Sequence, residues 1–227
     1  MTDELRRLSP DAVARAFDTA DDTDRSSSIV VGVLLAAGGS TRFGDANKLL
    51  AAIDGEPLVR HAARTLLNAN ISQVVVVLGC ESTAIHEAII GLSGIDNGTV
   101  PVSFVTNPDY ERGLSTSVRA GVAGAVDAGA DGAVFLPGDM PAVDPVTVDR
   151  LIDAYRTGLA DAVAASYDGR RGNPVLFGSQ HFPALREVRG DVGGKPVLFD
   201  ADRGAVVETD DPGVVRDIDT RDDLERR

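Results

Sequence analysis

IVVGVLLAAGGSTRFGDANKLL, residues 29–50, is the stretch on which the fold turns. Its first seven residues form a short, unbroken apolar run rich in β-branched side chains, the pattern of a parallel strand buried on both faces. The chain then leaves the strand through Gly38, Gly39 and Gly44 and carries two cations, Arg42 and Lys48. Glycines let backbone amides approach an anion closely, and successive amides make a phosphate-binding nest. Two cations in one loop suit a triphosphate. The spacing is neither G-x-x-x-x-G-K-[ST] nor G-x-G-x-x-G, so it marks neither a P-loop nor a dinucleotide fingerprint. A plain Gly-rich turn with surface cations is the alternative.

Working outward, the same strand–helix alternation continues. Residues 73–79 and 132–138 are further buried strands, 100–105 is another, and 57–69, 82–92, 115–128 and 145–156 read as helices. Later runs at 161–166, 173–178 and 205–209 read as strands, and 219–226 as a terminal helix. This order implies a three-layer α/β/α domain with a mostly parallel, Rossmann-like sheet over residues 29–227. Ligands of such sheets bind at the carboxyl ends of the strands. Residues 1–28 differ: a short amphipathic stretch starting at Ser9-Pro10-Asp11 precedes an acidic, polar linker. They read as a loosely held, acidic extension of the domain.

Composition narrows the function. Lys+Arg number 22 against 35 Asp+Glu, giving a net charge of −13. This argues against a nucleic-acid partner, which requires a basic face, and against a polybasic membrane contact. There are 27 Asp and 20 Arg but only two lysines, Lys48 and Lys195. Asp-rich, Lys-poor usage fits a salt-accumulating, halophilic cytoplasm; a GC-rich genome is the alternative, which explains the Arg bias and not the charge, and either way each lysine's position is informative. The single cysteine, Cys80, excludes an internal disulfide and reads as a small buried or semi-buried residue rather than a nucleophile. No apolar run approaches the roughly 20 residues that span a bilayer, and the N-terminus lacks a signal-peptide core, so a cytoplasmic protein is expected. His61, His86 and His181 lack metal-ligand spacing and read as surface or core-edge residues.

Three more segments carry candidate chemistry. FLPGDMP (135–141) puts Asp139 directly after a buried strand, where a carboxylate suits Mg²⁺ or caps a helix. NPDYERGLSTSVRAG (107–121) places Asn107 at a strand end, then Gly113 and the hydroxyls Ser115 and Ser117 at a helix start, which either bind a ligand through free amides or merely cap the helix. GRRGNPVLFG (169–178) brings Arg170 and Arg171 next to Asn173, a pair able to engage an anion or to balance surrounding acids.

Leu35-Ala36-Ala37-Gly38, Ser40, Arg42, Gly44 and Lys48-Leu49-Leu50 closely resemble the signature of the molybdenum-cofactor-type nucleotidyltransferases, within the glycosyltransferase-A-like nucleotidyltransferase superfamily. The resemblance covers residues 29–227. It implies that Leu35, Ala36, Ala37, Gly38, Gly39 and Ser40, with Gly79, Asn107, Gly113, Ser115 and Ser117, bind the nucleotide. It also implies that Lys48, Arg42 and Asp139 are catalytic and that Asp139 holds a metal, Mg²⁺ or alternatively Mn²⁺. DIDTRDDL (217–224) is similar to the family's ending, so Asp219 is either a second metal ligand or part of a capping pattern. The segment around Arg170, Arg171 and Asn173, and GDVGGKPVL (190–198) with Asp191 and Lys195, resembles the acceptor side of the cytidylyltransferase branch. Lys195 stands where the family usually carries Arg, which keeps charge and loses bidentate geometry.

The activity thus implied is transfer of CMP from CTP to the terminal phosphate of a molybdopterin-type cofactor, with pyrophosphate released. Alternatives are a GTP-using guanylyltransferase, transfer to a sugar phosphate, and a non-enzymatic cofactor chaperone. A recipient molybdoenzyme is an implied partner, and the expected state is a monomer or weak homo-oligomer.

Overall fold

The computed structural model describes residues 5–20, 28–39, 43, 47–90, 92 and 100–225. In chain order its strands are β1 (Arg6–Leu8), β2 (Val30–Ala36), β3 (Ala52–Ile53), β4 (Glu56–Pro57), β5 (Gln73–Leu78), β6 (Val102–Thr106), β7 (Gly132–Pro137), β8 (Ala162–Tyr167), β9 (Arg170–Gly178) and β10 (Gly204–Thr209). The α-helices are α1 (Pro10–Thr19), α2 (Leu58–Leu67), α3 (Ser82–Ile90), α4 (Leu114–Asp127), α5 (Pro145–Arg156), α6 (Phe182–Glu187), α7 (Lys195–Asp200) and α8 (Arg221–Glu225). Eight strands form one sheet in the order β1–β10–β8–β9–β7–β2–β5–β6, while β3 and β4 make a separate hairpin. All neighbours in the large sheet are parallel except those of β9, which runs antiparallel to both β7 and β8. The expected three-layer, mostly parallel architecture is therefore what the chain adopts.

Why the strands are continuously apolar follows from where they sit. Val30, Leu34, Val74, Val76, Val134 and Leu136 bury into the core on one face. Their alternates Val31, Val33, Val75, Val77, Ala133 and Phe135 bury into the core on the other. A period-two chain between two helical layers has no solvent face to make polar.

Residues 5–20 correct the expectation of a loosely held extension. β1 pairs in parallel with β10, extending the sheet by one edge strand. Ser9 caps α1, accepting a hydrogen bond from the Ala12 amide, and Val13 and Leu8 are buried in the main core. Three residues are too short for a strand to show a period in sequence, which is why the pairing was not legible there. The linker of residues 21–27 lies outside the described residues. Among the described residues, no helix is long and apolar enough to cross a membrane.

Candidate active site

The loops after β2, β5, β6 and β7 converge at the carboxyl edge of the sheet, held by backbone contacts between strands. The amide of Gly138 donates to Leu35 O (2.9 Å), that of Cys80 to Ala37 O (3.1 Å) and that of Asn107 to Leu78 O (2.7 Å). Gly79 has to be glycine here: a Cβ would stand 2.6 Å from Ala37 O and 2.9 Å from the Tyr110 Cβ.

Lys48 begins a 3₁₀ turn, Lys48–Leu50, capped by Asn47, whose Oδ1 accepts from the Leu49 amide (3.1 Å), and anchored by buried Leu49. From this fixed stem the Lys48 ammonium lies 2.7 Å from Asp139 Oδ2 and 2.8 Å from Asp219 Oδ1. Burial on its own lowers the lysine pKa. The Asp139 charge and the hydrogen bonds to both carboxylates outweigh it and hold the ammonium above its ordinary value. The Asp139 backbone carbonyl accepts from the Ile218 amide (2.9 Å), which locks the 217–219 segment against the β7 loop.

Asp217 joins this cluster, and sequence reasoning had not singled it out. One carboxylate oxygen each from Asp139, Asp217 and Asp219 lies within 4.8 Å of the others. Among the described residues, Asp139 Oδ1 is buried without a hydrogen-bond partner. An all-oxygen donor set with an unsatisfied buried oxygen fits a hard divalent cation, which takes carboxylates together with phosphate oxygens. The D-x-D spacing of 217–219 was the available signal, since alternate residues of an extended segment share one face.

Lys48 and Asp139 stand in a cleft of about 640 Å³ whose walls include Leu35, Ala37, Gly38, Gly39, Cys80, Tyr110, Gly113, Leu114 and Ser117. Several expected nucleotide residues sit here, but not all. Ala36 alternates away from Leu35 and Ala37 into the opposite core. Ser40 and Arg42 lie outside the described residues. Asn107 and Ser115 are buried rather than cleft-lining. Asn107 works from behind: its Nδ2 donates to Thr116 Oγ1 (2.8 Å) and Ser117 Oγ (3.1 Å), and its Oδ1 accepts from the Asp109 amide, tying the β6 loop to α4.

The amides that start α4 are also taken. Leu114 N donates to Asp191 Oδ1 (3.1 Å) and Ser115 N to Gly190 O (3.0 Å). Gly113 makes this joint possible, with φ +104° and no room for a Cβ beside Asp191. Asp191 is therefore the cap of α4 from a distant loop.

A second cleft of about 350 Å³ shares Leu35, Leu114, Pro137 and Asp191 with the first. Arg171, Asn173, Val175 and Phe177 line it from β9, every second residue of one strand. Arg170 points the other way by the same alternation, which separates the two adjacent arginines. Phe135 and Phe177 meet edge to face at 6.1 Å on its apolar wall, and Lys195 stands at its rim, 5.7 Å over the Phe199 ring. Burial pushes the Arg171 guanidinium below its ordinary value, and no hydrogen bond or ion pair engages it among the described residues. Gly172 is closely packed: a Cβ there would run into the Val214 carbonyl.

Comparison with known proteins agrees with this geometry. Residues 32–205 match the MobA-like NTP transferase domain. The purine catabolism protein PucB of Bacillus subtilis (strain 168) is 31% identical over 205 residues, covering 88% of this chain and 96% of its own. Nicotine blue oxidoreductase of Paenarthrobacter nicotinovorans is 31% identical over 209 residues, 87% of this chain and 95% of its own. The molybdenum cofactor cytidylyltransferase of Escherichia coli (strain K12) is 28% identical over 193 residues, 85% and 92%. Among solved structures, the manganese complex of Rv0371C from Mycobacterium tuberculosis H37Rv superposes with a TM-score of 0.66 at 27% identity, covering 88% of this chain and 97% of its own. The chain is thus a nucleotidyltransferase and belongs to the MobA-like NTP transferase domain family.

Proposed function

We propose that the enzyme transfers CMP from CTP to the terminal phosphate of a molybdopterin-type cofactor, releasing pyrophosphate. The observation that carries this is the pair of adjoining clefts: one has a lysine bracketed by carboxylates at its floor, the other an apolar wall with a guanidinium at its edge that is unengaged among the described residues. The larger cleft takes the nucleotide, with Lys48, the glycine loop amides and Arg42 on its phosphates. Asp139 and Asp219, with Asp217, hold a divalent cation. When bound, such an ion neutralises charge on phosphate oxygens.

The second cleft takes the acceptor. Its phenylalanines and valine suit a fused ring system better than a polyhydroxylated sugar, which favours the cofactor over a sugar phosphate. Arg171 and Lys195 receive its anionic arm, and Asn173 lines the same face. An acceptor phosphate oxygen attacks the α-phosphorus, the bond to the β-phosphate oxygen breaks, and pyrophosphate departs with the charge. An ionised phosphate needs no base, so positioning and charge neutralisation suffice. The enzyme works in the cytoplasm and passes its product to a molybdoenzyme.

Pyrophosphate release from each of the four nucleoside triphosphates, with molybdenum cofactor and a divalent cation, tests the proposal. CTP is expected to be consumed in clear preference; preference for GTP or ATP overturns the cytidylyl assignment. Asp139→Ala abolishes release if the protein is this enzyme, and leaves function intact if it is a carrier.

A further inference from the structure

β1 lies outside the matched domain, residues 32–205, yet it reaches the second cleft through a line of charges. Glu208 of β10 pairs with Ser166 of β8, and Ser166 with Arg171 of β9, so the three stand in one row across the sheet. Directly paired residues project from the same face. That face is the one bearing the second cleft, since Val206, two residues back from Glu208 along β10, buries in its core and Arg171 itself lines the cleft. Two strand spacings, about 10 Å, separate the backbones of Glu208 and Arg171, a gap that their two long side chains together span.

Other partners occupy Glu208. Its Oε2 accepts from the Ser166 hydroxyl and its Oε1 from the Gly169 amide (3.1 Å). Arg7 of β1 places Nη1 3.4 Å from Glu208 Oε2 and donates through Nη2 to Gly169 O (3.0 Å). Gly169 is the second residue of the Asp168-Gly169 turn, both with positive φ, that sends the chain from β8 into β9. These contacts and the Arg7 charge lower the Glu208 pKa even against its burial, so it is ionised at neutral pH.

We propose that Arg7 is a positioning residue for the acceptor: it neutralises Glu208 and holds it on the β8–β9 turn, leaving the Arg171 guanidinium free for the acceptor's anionic phosphate. The inference rests on the assignment of the acceptor to the second cleft. Without Arg7, the Glu208 carboxylate turns to Arg171, the desolvated cation in its row, and competes with the substrate for it.

Phenylglyoxal modification of Arg171 in the intact protein, followed by peptide mass spectrometry without substrate, tests the competition directly. Arg7→Ala is expected to slow modification at least threefold, and Arg7→Ala/Glu208→Gln to return it to the wild-type rate. In turnover with CTP and molybdenum cofactor, Arg7→Ala raises the KM for the cofactor about fivefold, the scale of one exposed ion pair, with kcat and the KM for CTP unchanged. The double variant and Arg7→Lys restore that KM. Equal modification rates in wild type and Arg7→Ala, or a double variant no better than Arg7→Ala, overturn the proposal, since a clamp acting only as scaffold worsens when Glu208 is also weakened. An unchanged cofactor KM in Arg171→Ala instead brings down the acceptor assignment, while the substrate-free rates still decide whether Arg7 shields Arg171.

Discussion

Lys48→Met removes the cation that separates two carboxylates, and the structure sets the scale of the result. The lysine side chain is 14% exposed, Asp139 21% and Asp219 32%. Truncating one partner of a fully buried pair costs about 3–5 kcal/mol, and of an exposed pair about 0–1 kcal/mol. This cluster lies between them, and its two contacts share one ammonium, so we expect a loss of about 2 kcal/mol. For a chain of this length that lowers Tm by about 4–8 °C. Without the ammonium the two carboxylates repel each other more strongly, and a divalent cation relieves them. At a hundredfold excess over Kd, a ligand stabilises the folded state by about 2.7 kcal/mol, enough to recover the loss. Differential scanning fluorimetry in EDTA and in millimolar MnCl₂ reads both effects. Mn²⁺ should restore most of the Tm of Lys48→Met and add less to the wild type, where the ammonium competes for the same oxygens. A loss in Tm that Mn²⁺ does not touch, or a larger Mn²⁺ gain in the wild type, refutes the reasoning.

Two further outcomes are expected. Burial and the neighbouring Asp149 charge push the Asp153 carboxyl from 3.8 up to about 6, so the native state binds this proton more tightly than the unfolded chain and stability falls as pH rises from about 4 to 6. The full difference corresponds to about 3 kcal/mol, which solvent at this half-buried site reduces to about 1; Asp153→Asn should raise Tm at pH 7.5 and lose that advantage by about pH 4. Asp191→Ala removes the cap of α4, worth about 1 kcal/mol, and should raise the KM for CTP and for the acceptor together, whereas Asp191→Asn keeps the accepting oxygen and both values. An effect confined to the acceptor would show that Asp191 touches it directly.

Much of the architecture was legible because buried parallel strands announce themselves. The runs 29–35, 73–79 and 132–138 became β2, β5 and β7 almost residue for residue, as continuous apolar character between turn signals requires. The reversal of β9 was harder. Its signal is local, the Asp168-Gly169 pair that favours a two-residue hairpin turn, and it competes with a sequence-wide expectation of parallel crossovers. Within the site, Lys48 stood out as one of only two lysines, set in a glycine-rich loop, and Asp139 as a charge directly after a buried strand. Orientation was not legible: Arg170 and Arg171 are chemically identical neighbours, and only the strand register decides which one enters the cleft. Asn107 and Asp191 illustrate a third limit. Both sit in motif positions expected to meet ligand, yet Asn107 Nδ2 and Asp191 Oδ1 bond α4, and for Asp191 a partner 77 residues away leaves no local trace.

The four residues common to the two clefts, Leu35, Leu114, Pro137 and Asp191, have a pharmacological consequence. A partition this thin keeps the two clefts within one short tether of each other. Fragments selected separately for each chamber and then joined across it bind as a single chelating molecule, with an avidity about 10²–10⁴ times that of either fragment when the tether matches the span.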